Sequence, residues 1–346
     1  MNDRLGLRSE DDVLDYLGTF FPLRHRSLAV GRGDDCCLVR CAQSLAMSSD
    51  FFLEDVHFRR SYFLAEEIGH KALACNVSDL AACGVRPVGF QLCLGLPDDI
   101  DRVWLGHFFE GMGSLASAYG MALAGGDISR ASSVQVAITV FGEEIGEGAF
   151  LSRGGSVPGD AIFVVGQIGL ARVGLLELER RGRAAMADYP KACQAHLHPT
   201  PQVDAGLLLA RIGMNARPPA LMDLSDGLAR DLPRLLGMTG ETGVMAREGG
   251  QGIGAELLLP AGSLHPEVVA YCRERHLNPV HEALRGGEDY ALLGSCAPDM
   301  LIPLHAAIPG LREIGTVTDE GGIICNWEPL ENIQGFDHFS SRGSAS

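Results

Sequence analysis

Apolar positions recur along this chain with two periods. Between 65 and 83, AEEIGHKALACNVSDLAAC, the residues Ile68, Leu73, Val77, Leu80 and Ala81 fall near one face of a helix. Lys71, Cys75 and Asp79 fall on another face, so an amphipathic helix is predicted there. A second helix is predicted from about Asp101 to Tyr119, where Trp104, Phe108, Met112 and Leu115 return every three or four positions. MALAGG (121–126) and VQVAITVF (134–141) read as strands. The segment LSRGGSVPGD, rich in glycine and serine, suggests a linker at 150–160. Beyond it, AIFVVGQIGLARVGLLELERR and PPALMDLSDGLARDLPRLL each read as strand, turn and helix. Residues 181–202 are polar and proline-bearing, which predicts a surface excursion. No repeat of fixed period stands out.

A length of 346 residues exceeds what one core usually serves, and predicts two domains, 1–150 and 151–346. With 46% hydrophobic and 21% charged residues the chain has ample apolar surface to bury. No run approaches the roughly 18 to 20 apolar residues of a membrane span, and MNDRLGLRSEDD lacks a hydrophobic signal core, so a soluble cytoplasmic protein is expected. The net charge of −16 repels phosphate backbones and anionic lipid, which argues against nucleic acid and membrane partners. Of 28 basic residues only Lys71 and Lys191 are lysines. The 10 cysteines form no C-x-x-C pair and have mostly apolar neighbours, so they are expected as buried small hydrophobes in a reducing compartment.

The candidate chemistry lies in aspartates placed where the chain changes direction: Asp34 and Asp35 in GRGDDC, Asp50, Asp79, Asp127 in GGD, and Asp223 and Asp226 in DLSDG. Each taken singly also reads as a helix cap or turn residue, Asp226 before GLARDL among them. As a set, flanked by Gly33, Ser48, Ser49, Gly126 and Ser225, they offer oxygen ligands to Mg²⁺ in a crevice with room for a bulky anion. Neither lysine sits in a Gly-Lys-Ser/Thr run and no His-Arg-Asp catalytic loop occurs, which excludes the P-loop and protein-kinase routes to ATP. ATP would therefore be held through Asp-bound Mg²⁺, with Arg153 a candidate clamp or an ordinary solvated residue. His57 follows Asp55 by two, so on a strand both would point the same way; Glu288, in RGGEDY, stands in a turn before the apolar strand ALLG.

In order along the chain, GRGDDC, SSDFFLEDVHF, KALACNVSDLAACGVRP, AGGDIS, LSRGGSVPGD, HPTPQVDAG, MDLSDGLARDL, ALRGGEDYALL and GFDHF resemble the motifs of the thiamine-monophosphate kinase family. That family lies within the ATP-binding superfamily typified by aminoimidazole ribonucleotide synthetase, and the likeness spans nearly the whole chain. It implies an α+β fold of two domains. The N-terminal domain would bind ATP and Mg²⁺ and form a dimeric β-barrel with a partner copy. The C-terminal domain, a mixed sheet with flanking helices, would complete the nucleotide and substrate site. The implied reaction converts ATP and thiamine monophosphate to ADP and thiamine diphosphate in a homodimer, without a covalent phosphoenzyme. Also by resemblance, Asp35, Ser48, Ser49, Asp50, Asp79, Asp127 and Asp223 are metal ligands, and Asp226 holds a further ion. Gly126, Asp127, Arg153 and Ser225 resemble nucleotide contacts, and His57 and Glu288 contacts to thiamine phosphate. No protein base is required, because the acceptor is a phosphate oxygen already largely ionised given a second pKa near 6.

The chain departs from the family pattern in three places. Ile333 stands where an aromatic often precedes the terminal GFDHF-like motif, which bears on the stack against the thiamine ring. GGDIS replaces GGDTT, and Cys36-Cys37 follow GDD in place of small residues; neither change removes a carboxylate. Two other branches fit less well. Residues 1–34 lack the reactive cysteine and lysine of selenophosphate synthetases, and the end Ser344-Ala345-Ser346 lacks the cysteine of the hydrogenase-maturation branch. The rival readings are a kinase of the same superfamily with a different phosphorylated acceptor, and a non-catalytic nucleotide sensor.

Overall fold

Alternation with a period of two builds the first sheet, and a run of small residues lets one helix be buried beneath it. The computed structural model describes residues 10–22, 25–30, 38–40, 44–146, 148–213, 217–238 and 253–329. In chain order the first half carries α1 (Glu10–Gly18), β1 (Leu28–Val30), β2 (Leu38–Val39), β3 (Leu45–Leu53), α2 (Ala65–Ala82), β4 (Arg86–Leu96), α3 (Arg102–Tyr119), β5 (Ala122–Arg130) and β6 (Gln135–Glu143). Strands β3, β6, β4 and β5 form an open sheet in that order, antiparallel except for the parallel β4 and β5 pair. Along β4, Phe90, Leu92 and Leu94 are buried against helices while Gln91 and Cys93 are exposed, and Val136, Ile138 and Val140 of β6 continue the buried side. The other side is covered at one end, where Ala122, Ala124 and Phe141 are buried with Leu28 of β1, and uncovered along β3, where Phe51 is 68% and Met47 62% exposed. Among the described residues this sheet does not close into a barrel.

The predicted helices at 65–83 and 101–119 are α2 and α3. Asp101 caps α3, its carboxylate accepting from Trp104 N at 2.7 Å, and Gly120 ends it in the left-handed region at φ 63°. Helix α2 differs from the expected amphipathic element: Ala72, Ala74, Ala81 and Val77 are as buried as Ile68 and Leu73, so it is enclosed on all sides. Small residues make this possible, since a helix surfaced with alanine and glycine admits neighbours all round.

The second half carries β7 (Ala161–Val165), α4 (Leu170–Arg181), α5 (Pro190–Leu197), α6 (Val203–Ile212), β8 (Ala220–Asp223), α7 (Leu228–Leu235), β9 (Gly254–Leu257), α8 (Pro266–Glu274), α9 (Pro279–Arg285), β10 (Leu292–Cys296), α10 (Pro298–Ala307), β11 (Leu311–Thr318), β12 (Gly322–Cys325) and β13 (Glu328–Pro329). Its sheet has the order β13-β12-β9-β11-β7-β10-β8, mixed because β12 and β9 run parallel. The fold is thus α+β with two main sheets. Strand β7 is buried at all five positions, as a central strand covered on both faces must be.

Two expectations are corrected here. Residues 181–202 are not a surface excursion: Pro190 opens α5, which buries Ala192, Cys193, His196 and Leu197. The glycine-rich segment at 150–160 is not a loose linker either. Leu151 is fully buried and donates its N–H to Cys83 O at 3.0 Å, and Gly154 N bonds to Leu235 O at 2.8 Å. One continuous apolar cluster crosses it and joins both halves. Among the described cysteines Cys193, Cys272, Cys296 and Cys325 are buried thiols as expected, whereas Cys93 is exposed on the uncovered side of the first sheet.

Candidate active site between the two halves

Helix α2 carries a polar stripe at helical spacing, Lys71, Cys75, Ser78 and Asp79, and turns it toward the second half. Lys71 Nζ donates to Glu288 Oε2 at 3.1 Å. One turn on, Cys75 Sγ donates to Tyr290 Oη at 2.9 Å. Two turns on, Asp79 Oδ2 accepts from Ser48 Oγ of β3 at 2.6 Å. The sequence placed Lys71, Cys75 and Asp79 on one face, and they share one here.

Opposite the stripe lie two loops that hold each other. The chain leaving β8 (Asp223 to Gly227) and the chain entering β10 (Gly286 to Tyr290) are tied by Glu288 N to Ser225 O at 2.8 Å, Tyr290 N to Leu224 O at 2.9 Å and Leu224 N to Ala291 O at 2.8 Å. Gly227 has φ 99°, and a side chain there would lie 2.8 Å from Gly286 O, so the DLSDG turn needs its glycine. Asp289 accepts from Gly169 N at 2.6 Å and Ala171 N at 3.0 Å, capping α4 and fixing the second loop. Burial still pushes its carboxyl up to about 7.

Three aspartates converge where stripe and loops meet. Burial raises the Asp79 carboxyl to about 6, the charge of Asp50 adds to the rise, and the Ser48 bond and Arg153 partly offset it. Asp50, which keeps an exposed surface, is also raised, by partial desolvation that its hydrogen bond with Asp79 opposes. Asp223, 5% exposed, lies well above its ordinary range through burial and then the Asp79 charge, with Arg153 opposing. These carboxylates come from β3, α2 and the end of β8, so both halves contribute. The exposed Arg153, together with the hydrogen bond from Ser48 to Asp79 and the Ser78 hydroxyl beside Asp223, opposes their mutual repulsion at Asp79 and Asp223. No three acidic, histidine or cysteine side chains already surround a single point at ligand distance among the described residues.

The other sequence candidates sit as follows. Ser49 Oγ is 2.7 Å from Thr139 Oγ1 in the neighbouring strand. Gly126 and exposed Asp127 lie on β5, and the register sets Asp127 in the row of Cys93, Ala137 and Phe51. Strands β3 and β5 are the two edges of the sheet, three strand spacings or about 14 Å apart, so Asp127 does not join Asp50 and Asp79 around one point. Ser225 is half-buried in the DLSDG turn. Asp226 does not cap α7, whose N-cap is Gly227; its carboxylate is held by Arg234 at 2.7 Å and Arg230 at 3.6 Å, and its N–H donates to Asp231. The strand expected through His57 ends at Leu53. Residues 55–57 form a turn with Asp55 at φ 65°, and His57 Nδ1 folds back to accept from Leu53 N at 3.0 Å, its ring stacked 5.8 Å from Phe52. Asp35 and Ile333 lie outside the described residues.

Sequence reasoning set Lys71 on the face of Asp79 without giving it a role, and it missed His196. Both are buried, and both meet Glu288: His196 Nδ1 lies 3.1 Å from the same Oε2 that Lys71 holds. Burial alone would raise the Glu288 carboxyl, but the Lys71 charge and the His196 contact reverse that and hold it well below its ordinary value. Burial, then Lys71, pushes the His196 imidazole down to about 4. The one available signal was the scarcity of lysine.

Residues 33–143 match the family of AIR synthase related protein, N-terminal domain. The thiamine-monophosphate kinase of Escherichia coli (strain K12) is 34% identical over 90% of this chain and 92% of its own length. That of Aquifex aeolicus is 32% identical over 89% of this chain and 92% of its own length. The solved structure of AaThiL complexed with AMPPCP and TMP superposes with a TM-score of 0.73 at 28% identity, covering 98% of this chain and 100% of that one.

Proposed function

Because the chain belongs to the thiamine-monophosphate kinase family, we propose that it transfers the γ-phosphoryl group of ATP directly to the phosphate of thiamine monophosphate, giving ADP and thiamine diphosphate. The observation that carries this reading is the convergence of Asp50, Asp79 and Asp223 from both halves of the chain.

The donor set fits Mg²⁺. Carboxylates with a nearby serine hydroxyl offer hard oxygen ligands, and Asp79 and Asp223, raised first by burial and then by a neighbouring aspartate, are anions that a divalent ion would stabilise. Ser48, Asp50, Asp79 and Asp223 would hold the ions, with Asp35, Ser49, Asp127 and Asp226 the further ligands of the same reading. Bound there, Mg²⁺ would neutralise the phosphate oxygens of donor and acceptor as charge shifts between them. Arg153, exposed beside Asp79 and Asp223, would contact the nucleotide phosphates together with Ser225. Gly126 and Asp127 would take part only through a ligand that reaches across the sheet, as a nucleotide with several ions does. Asp226 would have to share its carboxylate with Arg234 and Arg230. His57 and Glu288 would contact the acceptor, which brings its own phosphate oxygen as nucleophile, so the chain supplies alignment and charge, not a base.

The uncovered side of the first sheet supports the proposal of a homodimer whose two sheets combine into a barrel. Phe51 and Met47 stand exposed on β3 on either side of Ser49, an apolar display that a second copy would cover.

The test is product formation from ATP, Mg²⁺ and thiamine monophosphate. Thiamine diphosphate and ADP in equal amounts support the proposal. ADP formed only with another phosphate acceptor would replace the acceptor. Tight ATP binding with no ADP under any acceptor would turn the reading to a nucleotide sensor.

A further inference from the structure

The phosphoryl-transfer chemistry leaves a buried cation, Lys71, unused. Lys71 is 0% exposed at the centre of α2, its Nζ 3.1 Å from Glu288 Oε2, 3.3 Å from His196 Nδ1 and 5.4 Å from the centre of the Phe63 ring. His196 reaches the same Oε2 from α5. Two groups therefore grip one carboxylate oxygen. Oε1 has no protein partner among the described residues, and the Glu288 side chain keeps 23% of its surface.

Packing alone does not account for a lysine here. Desolvating an ion pair costs about as much as its attraction returns, and an apolar residue of equal volume would fill the site as well. Nor is it a matter of composition, since all but two of the 28 basic residues are arginines. A guanidinium fork asks for two acceptors, whereas an ammonium serves one oxygen as a point charge. The choice of lysine fits a grip on Oε2 that leaves Oε1 untouched.

We propose that Lys71 and His196 are positioning residues for the acceptor site: from the two halves of the chain they clamp Oε2 of Glu288, and so present Oε1 to an N–H donor of the acceptor molecule. The proposal rests on the reading of Glu288 as an acceptor contact. A carboxylate already immobilised loses less freedom when the acceptor binds, so the clamp acts on acceptor affinity and not on ATP.

Steady-state kinetics with ATP and thiamine monophosphate test it. Lys71→Met keeps the stem and removes the charge; the KM for thiamine monophosphate should rise about 10-fold or more while that for ATP stays within about 2-fold. His196→Asn keeps an amide donor near the Nδ1 position and should stay within about 2-fold of wild type. His196→Gln, whose amide reaches toward Nε2, should raise the acceptor KM about 3- to 10-fold. The Lys71→Met/Glu288→Gln pair should be no worse than Glu288→Gln alone, since both act through one carboxylate. An unchanged acceptor KM in Glu288→Gln sinks the underlying reading of Glu288. A raised KM there, with wild-type values in Lys71→Met and both His196 variants, overturns the clamp alone. So does a parallel loss for both substrates in Lys71→Met, or equal effects of His196→Asn and His196→Gln. If Lys71→Met does not fold, the two His196 variants decide.

Discussion

Asp79 couples the stability of the fold to pH. Its carboxyl, ordinarily near 3.8, is raised to about 6 by burial and Asp50, so it binds a proton more tightly folded than unfolded. Between those two values the folded state holds more protons, and the Asp79 contribution to stability falls as pH rises across the window. Above about pH 6 the Asp79 anion is an uncompensated cost that bound Mg²⁺ would remove. Glu288 works in the other sense: held low by Lys71 and His196, it contributes stability above its ordinary 4.5 and loses it as pH falls. Comparison with Asp79→Asn separates the two. Calorimetry should show a Tm gain from Mg²⁺ with ATP at about pH 7.5 that largely vanishes at about pH 5. Asp79→Asn should gain about 1 kcal/mol without Mg²⁺ at the higher pH and lose most of the response to the ion. An Mg²⁺ effect equal at both pH values, or intact in the variant, would contradict this. The aspartates were readable in the sequence as a set of acids in Gly- and Ser-bearing motifs, but the change of chain direction expected at each holds only for Asp223 and Asp226: Asp50 lies within β3, Asp79 within α2 and Asp127 within β5. The roles of Lys71 and His196 were not readable, because their meaning comes from Glu288, 217 residues beyond Lys71, and no local pattern encodes that distance.

Among the elements, α2 does most to shape the site, and its burial depends on glycine. A side chain at Gly69 would overlap the carbonyl oxygen of Phe108 in α3, and one at Gly111 of α3 would overlap that of Glu66 in α2. The two helices are in backbone contact, which fixes where Lys71 and Asp79 project. Gly69→Ala and Gly111→Ala should each destabilise the protein by about 1 to 3 kcal/mol in denaturant titration despite alanine's better helix propensity; a stabilised variant would show that the contact is loose. The helical period of α2 was visible in the sequence, but its enclosure was not, since alanine and glycine face water or protein with equal ease. The same ambiguity hid α5, where the buried side is Ala192, Cys193, His196 and Leu197 and the flanks are polar. At His57 the strand period was carried too far, because nothing local announces that Asp55 takes a positive φ.

For the molecule as a whole, the helices and strands read before 150–160 and the two strand-turn-helix patterns read beyond it were legible and form. Their fusion through one apolar cluster was not, because a glycine-rich segment reads alike whether it hangs free or is threaded between helices. The uncovered sheet bears on assembly: Phe51→Arg should shift the protein from dimer to monomer in light scattering, with little change in thermal stability of the protomer. A dimer of undiminished affinity would place the interface elsewhere. The central claim is that acids from both halves gather divalent ions between donor and acceptor. It is tested most directly by the anomalous density of Mn²⁺ in crystals grown with a non-hydrolysable ATP analogue. Peaks within about 2.5 Å of the Asp79 and Asp223 carboxylates are predicted; ions bound only elsewhere, with those carboxylates facing no metal, would contradict it.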